Sequence, residues 1–187
     1  MKVRCPALLA VLLPLAACAT APAPQRGPAS TELEAIFSAD QADRQVDDIR
    51  TIDWDAISTR DRQREARVKE LYRQGAFESA ADWYHAAMVL QHASEPADYL
   101  LAHDWCVAAI ALGSEPARWL AAATLDRYLD HQGKPQQFGT QYRSDSPGAP
   151  WKLSPVDGAI TDQLRTIMHV PTLAEAERRE AEMNRKP

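Results

Sequence analysis

The sequence predicts an all-α protein built of antiparallel helical hairpins, and three observations predict it. Of the 187 residues, 33 are alanine and only 7 are glycine, a balance that favours closely packed helices over sheets. Apolar residues recur at helical spacing in successive segments from Ala66 to Leu129. Pro96 and Pro116 fall where a helix begins, and Gly75, Gly113 and Gly133 fall where one ends. Short connections make neighbouring helices antiparallel, as in tetratricopeptide or Sel1-like packing, although no clean repeat of roughly 34–40 residues is present. The chain is 45% hydrophobic and 25% charged, which excludes wholesale disorder, and its length predicts one main domain. A net charge of −5 speaks against non-specific nucleic-acid binding, which needs basic surface to displace counterions from phosphate.

The N-terminus is read apart from the fold. Lys2 and Arg4 precede Pro6–Ala17, a stretch of 12 apolar or small residues. A permanent span needs about 20 apolar residues, so this stretch has the length of a secretory signal instead. Leu15-Ala16-Ala17-Cys18 resembles the lipobox of bacterial lipoproteins. The resemblance implies that residues 1–17 are a signal peptide and that Cys18 carries lipid. It also implies a cell-envelope protein, with Ala19 after the cysteine pointing to the outer membrane, facing the periplasm. Two or more acyl chains suffice for stable anchoring. Loss of Lys2 and Arg4 with the signal takes the net charge from −5 to −7. With Cys5 removed and Cys18 lipidated, Cys106 is the single thiol, in an apolar helical stretch where burial keeps it inert.

Residues 18–30 comprise the lipidated cysteine and a Pro/Ala-rich tether, 31–171 a helical domain, and 172–187 a polar C-terminal helix or tail. Thr31 with Glu34 reads as a capping box that starts the first helix, whose apolar face is Leu33, Ile36 and Phe37. Trp54 is expected to pack within a connecting segment. Ser58 or Thr59 then caps a charged helix over 60–74 that Gly75 closes. Three helices follow over about 78–93, 97–112 and 116–132. Residues 134–155 hold four prolines and no helical period, and a structureless loop of that length is uncommon unless it is functional or disordered. Helix resumes over about 155–168 and stops at Pro171; Thr172 with Glu175 is a second capping box, opening a helix that frays toward Pro187.

Strong catalytic motifs are absent: there is no GxGxxG, P-loop, HExxH, CxxC pair or GxSxG. His85 and His92 lie two turns apart on one expected helix, about 10 Å along its axis, which is too far to share one metal ion. His103 on the next helix could join one of them, but hydrogen bonds that fix helix register explain all three histidines more simply. No metal or cofactor is therefore expected. Arg127 either holds an anion or pairs with a carboxylate such as Asp98 or Asp130. In the tract Gly133-Lys134-Pro135-Gln136-Gln137-Phe138-Gly139-Thr140-Gln141, the amides and hydroxyl around Gly139 make either a polar binding loop or a loop that seals helix ends.

Tyr84-His85-Ala86-Ala87, Gln91-His92, Trp119-Leu120, Asp126-Arg127 and the 133–141 tract together resemble a bacterial family of domains of unknown function. That family's mark is Asp-Arg, then glycine, then Gln-x-(Phe/Tyr)-Gly-Thr-Gln, after an earlier Gln-His. The resemblance spans roughly residues 76–142 and implies positions without a reaction: His85, His92, His103, Asp126, Arg127, Gln136, Thr140 and Gln141. The expectation is a lipid-anchored binding module that takes a protein segment or small polar ligand in a His/Asp/Arg/Gln-lined groove. The rival is a hydrolase-type enzyme with His92 as general base, Asp126 orienting it and Arg127 or the Thr140 region stabilising charge. A structural envelope protein with no small-molecule site is the third possibility.

Overall fold

The computed structural model describes residues 27–46, 52–146 and 148–185, so the lipobox and most of the tether lie outside the described residues. Seven helices and one small hairpin occur among them: α1 (Pro28–Ala42), α2 (Trp54–Arg73), α3 (Ala80–Leu90), α4 (Pro96–Ala111) and α5 (Pro116–His131) come first. Strands β1 (Tyr142–Arg143) and β2 (Lys152–Leu153) follow, then α6 (Asp162–Ile167) and α7 (Leu173–Met183). The helices pack antiparallel, as expected, and the strands pair antiparallel with Tyr142 opposite Leu153.

Local chemistry sets most helix boundaries. Pro96 and Pro116 occupy first-turn positions, where a missing N–H costs nothing. Gly75, Gly113 and Gly133 adopt φ of 68°, 95° and 67°, conformations that strain a residue with a Cβ. Each lets the next residue's N–H reach back to a helix carbonyl: Ala76 to Leu71, Ser114 to Ala109 and Lys134 to Leu129, at 3.1, 2.9 and 3.0 Å. The Thr172–Glu175 capping box forms with both its bonds.

Alanines let α3, α4 and α5 approach closely: Ala86, Ala87, Ala102, Ala109, Ala117 and Ala121 are buried around Trp105, Leu90 and Leu120. Cys106 is buried there too, and burial pushes its thiol pKa up, away from reactivity.

A different force joins α1 to α2, whose mean composition is far from apolar. Arg60 forks onto Asp43 (2.8 and 3.0 Å), Arg64 reaches Asp43 (2.6 Å) and Asp61 (3.3 Å), and Arg44 bridges Asp61 (2.6 Å) and Asp40 (2.9 Å). Further along, Arg67 forks onto Glu32 at 2.6 and 2.9 Å. The charge run of α2 is thus partly an ionic seam. Because the Arg64–Asp43–Arg60 group is networked and only partly exposed, Arg64→Ala is expected to cost about 1–2 kcal/mol, above the value for an isolated surface pair. Urea midpoints at low and high salt check this: the loss should shrink as salt screens the seam.

Several boundaries differ from the sequence expectation. Helix α1 starts at Pro28, within the stretch read as tether, with Gly27 as its cap; the Thr31 hydroxyl instead bonds the Gly27 carbonyl at 3.3 Å. Asp53, not Ser58 or Thr59, caps α2 by accepting from Ala56 N–H at 3.0 Å. The neighbouring Trp54 is 51% exposed, not packed. Helix α3 opens on a Ser79–Asp82 capping box and stops at Leu90, which leaves His92 in the following turn. The two-turn geometry inferred for His85 and His92 therefore does not arise.

The 134–155 segment is not a structureless loop. It holds β1 and β2, and a parallel bridge joins Gln136 to Val156. Helix α6 starts only at Asp162, capped by Thr161. Helix α7 is pinned where fraying was expected: Tyr142 donates to the Ala176 carbonyl (3.0 Å), and Leu153 N–H to Glu180 (2.7 Å). Asn184 exchanges two bonds with the Trp151 backbone (2.8 and 2.7 Å). A second small core of Ala122, Phe138 and Val170 fastens this C-terminal segment to α5.

Candidate functional site

The residues singled out from sequence fall into two places. The first is the 136–141 loop, which turns its polar groups inward. Asp126, fully buried on α5, accepts from the N–H groups of Gln137 (2.7 Å), Phe138 (2.9 Å) and Thr140 (3.0 Å), and from the Thr140 hydroxyl (2.8 Å). Burial raises the carboxyl pKa, and the four donors oppose that rise. Gln136 is equally buried. Its amide donates to the carbonyls of Gln141 (3.0 Å) and Ser154 (2.8 Å), and its oxygen accepts from Gln141 N–H (2.8 Å). Arg165, buried on α6, completes the clamp: it donates to the carbonyls of Phe138 (3.2 Å), Gln137 (3.2 Å) and Ile160 (2.7 Å). One loop thus has its N–H groups held by an acid and its carbonyls held by a base. These bonds close on the backbone of the loop itself and of Ser154, and Gln141 reaches the Ala123 carbonyl within α5 at 3.3 Å.

Arg127 also faces inward, and neither Asp98 nor Asp130 is its partner: Asp98 pairs with Lys69 and Asp130 with Arg143, both at 2.6 Å. The Arg127 guanidinium donates to the Gln91 carbonyl (2.5 Å) and to Gln141 Oε1 (3.4 Å), with its carbon 5.8 Å from the Tyr99 ring centroid. Desolvation without a carboxylate partner lowers its pKa.

The second place surrounds His92. Its Nε2 lies 3.6 Å from Asp40, not beside Asp126, whose oxygens are occupied by the loop. That nitrogen is buried without a hydrogen-bond partner. Burial, with Arg44, Arg127 and Arg64 adding like charge, lowers the His92 pKa to about 3. Asp40 moves the other way: burial lifts it to about 6, against the pull of Arg44, Gln41 and Arg64. A small hollow of about 120 Å³ beside His92 is lined by Ser58, Ser94, Asp61, Arg62 and Glu65. Its carboxylates are paired within the protein: Asp61 with Arg44 and Glu65 with Lys69, both at 2.6 Å.

The other histidines are separate. His85 stacks on Phe37 (centroids 4.3 Å apart, 9° between planes), and His103 Nδ1 bonds the Ala121 carbonyl at 2.9 Å, joining α4 to α5. His85, His92 and His103 are therefore not gathered on one centre, and among the described residues no group of three His, Cys, Asp or Glu is placed to hold a metal ion.

Sequence reasoning missed Asp40, Arg165 and a surface beside the loop. On the outer side of Gly139 and Thr140, a hollow of about 120 Å³ is lined by Trp119, Tyr142, Pro171, Arg179 and Met183. Met183 also lines a wider hollow of about 360 Å³ with Pro150, Trp151, Asn184 and Arg185. The signal available was two tryptophans outside any apolar stripe; the signal for Asp40 and Arg165 was nil, because each is explained only by distant partners. Compared with protein-family models, with curated proteins and with solved structures, the chain matches none.

Proposed function

We propose that this chain is a lipid-anchored cell-envelope protein that works as a binding module, anchored through Cys18 and docking partners on the face beside the 136–141 loop. The observation that carries the binding reading is the division of labour in that region. The polar groups of the loop are consumed in holding the backbone, while Trp119, Trp151 and Met183 stand 43%, 42% and 40% exposed around paired hollows on the outside. Exposed aromatic and methionine side chains grouped around hollows mark interaction sites more often than isolated surface residues do. The proposed docking face is accordingly the outer, apolar side of the loop, and not the polar residues expected from sequence.

The hydrolase reading has less support. A histidine that protonates only near pH 3 is a weak general base at neutral pH, and its neighbour Asp40 is occupied by Arg44 and Gln41.

Two measurements test the proposal. Cys18→Ser is expected to move the protein from the membrane fraction to the soluble fraction; unchanged membrane association would overturn the lipid anchor. A photo-crosslinking amino acid placed in the full chain at Trp54, Trp119 or Trp151 is expected to give discrete protein adducts in cells. An absence of adducts from all three positions would leave the structural-protein reading in place of the binding module.

A further inference from the structure

The paired hollows carry more information than exposure alone. Arg179 is the sole charged residue lining the first, and Arg185 the sole charged residue lining the second. Neither has a carboxylate within ion-pair distance among the described residues, whereas Arg60, Arg64, Arg67 and Arg143 are all paired with carboxylates. Each hollow therefore sets one cation beside apolar side chains, an arrangement complementary to a carboxylate flanked by apolar groups.

The floor and walls are also held in place before any ligand arrives. Gly139 sits at φ 85°, where an added Cβ would lie 3.7 Å from Ala176 and 3.8 Å from Val156, so the loop backbone rests directly on α7. Thr140 cannot turn outward, since its N–H and hydroxyl are both bound to Asp126. The Trp151 backbone is fixed by Asn184, one residue beyond Met183. Preorganised walls reduce the ordering cost of binding. Met183, between the hollows, is unbranched and adapts to different side chains.

We infer that this surface docks an extended peptide segment of a partner protein in which a carboxylate side chain lies beside apolar ones. The apolar side chains enter the hollows on either side of Met183, against Trp119 and Trp151, and the carboxylate pairs with Arg179 as a charge-assisted, two-pronged contact. Concavity favours a peptide over a bilayer: a membrane surface takes protruding aromatic side chains, whereas hollows receive side chains from a partner. The assignment rests on the binding-module reading and narrows it to a partner chemistry and a place.

The test uses the full chain in detergent and a set of labelled decapeptides in which Asp or Glu stands one to three positions from Leu, Pro or Trp. Matched peptides carry Lys in place of the acid. Acidic peptides are expected to bind at least tenfold more tightly than their Lys counterparts. Arg179→Glu should reverse that order, and Met183→Ser should weaken both sets about tenfold, with unchanged melting temperatures because both side chains are exposed. Equal binding of acidic and Lys peptides, or binding indifferent to Arg179→Glu, would overturn the inference. So would docking onto phosphatidylglycerol vesicles that is lost in Arg179→Glu while no peptide binds. Cellular adducts from position 54 but not from 119 or 151 would sink this site and the proposed docking face, leaving only a chain that binds a partner elsewhere.

Discussion

Asp126→Ala is expected to destabilise the protein by about 3–5 kcal/mol, the range for removing one partner of a buried, fully bonded charged group. The reason lies in the donors left behind. Three backbone N–H groups and the Thr140 hydroxyl converge on this carboxylate at 2.7–3.0 Å, and all four lose their acceptor together once the acid is gone. For a chain of this size that loss corresponds to a fall in melting temperature of roughly 8–15 °C. Asp126→Asn should recover little, because its NH2 would face donors where an acceptor is needed. Thr140→Val, which removes one of the four donors, should cost only about 1 kcal/mol. Thermal melts and urea midpoints measure all three. A melting temperature for Asp126→Ala within a degree or two of the parent would refute the clamp and return the loop to the role of a ligand-facing segment.

The second large effect is a pair of opposite pH slopes. Asp40 has its pKa raised from 3.8 to about 6, so its contribution to stability is full below pH 3.8 and is lost as pH rises through 6. His92 has its pKa lowered from 6.5 to about 3, so its contribution is full above pH 6.5 and is lost as pH falls toward 3. Between pH 4 and 6 the two run against each other: the folded pair holds one proton, on Asp40, and the unfolded pair holds one, on the histidine. Their slopes cancel in the parent. Asp40→Asn removes one side of the balance, so its stability relative to the parent should worsen by about 1.4 kcal/mol per pH unit as pH falls from 6 to 4. His92→Gln should improve relative to the parent by a similar amount per unit over the same range. Arg44, Arg64, Arg127, Asp61 and Gln41 face the pair and are common to all three proteins, so the difference from the parent isolates it. Urea midpoints at half-unit steps from pH 4 to 7 measure the slopes; parallel curves for the three proteins would refute the proton exchange.

Legibility in the sequence followed the range of the interaction. The Thr172–Glu175 box, the Pro96 and Pro116 starts and the closing glycines were all readable, because each is a contact between residues a few positions apart. The Thr31 reading failed for a related reason: Pro28 offered an earlier start that a search for side-chain caps passes over. The 136–141 tract was recognised as unusual, yet its direction was not readable. Gln136 and Asp126 have the same side-chain chemistry whether they face a ligand or the backbone of their own loop, and Arg165, which decides the matter, lies far along the chain.

The sequence by itself determined the helical class, the punctuation of most helices and the lipobox expectation at Cys18, since periodicity, capping and short motifs are written in neighbouring residues. Only the tertiary structure decided which polar residues were spent internally. It set Asp40 beside His92, gave Asp126 and Arg165 to opposite sides of one loop, and left Trp119, Arg179 and Met183 facing outward. A buried polar group must find its partners wherever packing delivers them, and packing of helices distant in sequence is a property of the whole chain rather than of any stretch within it.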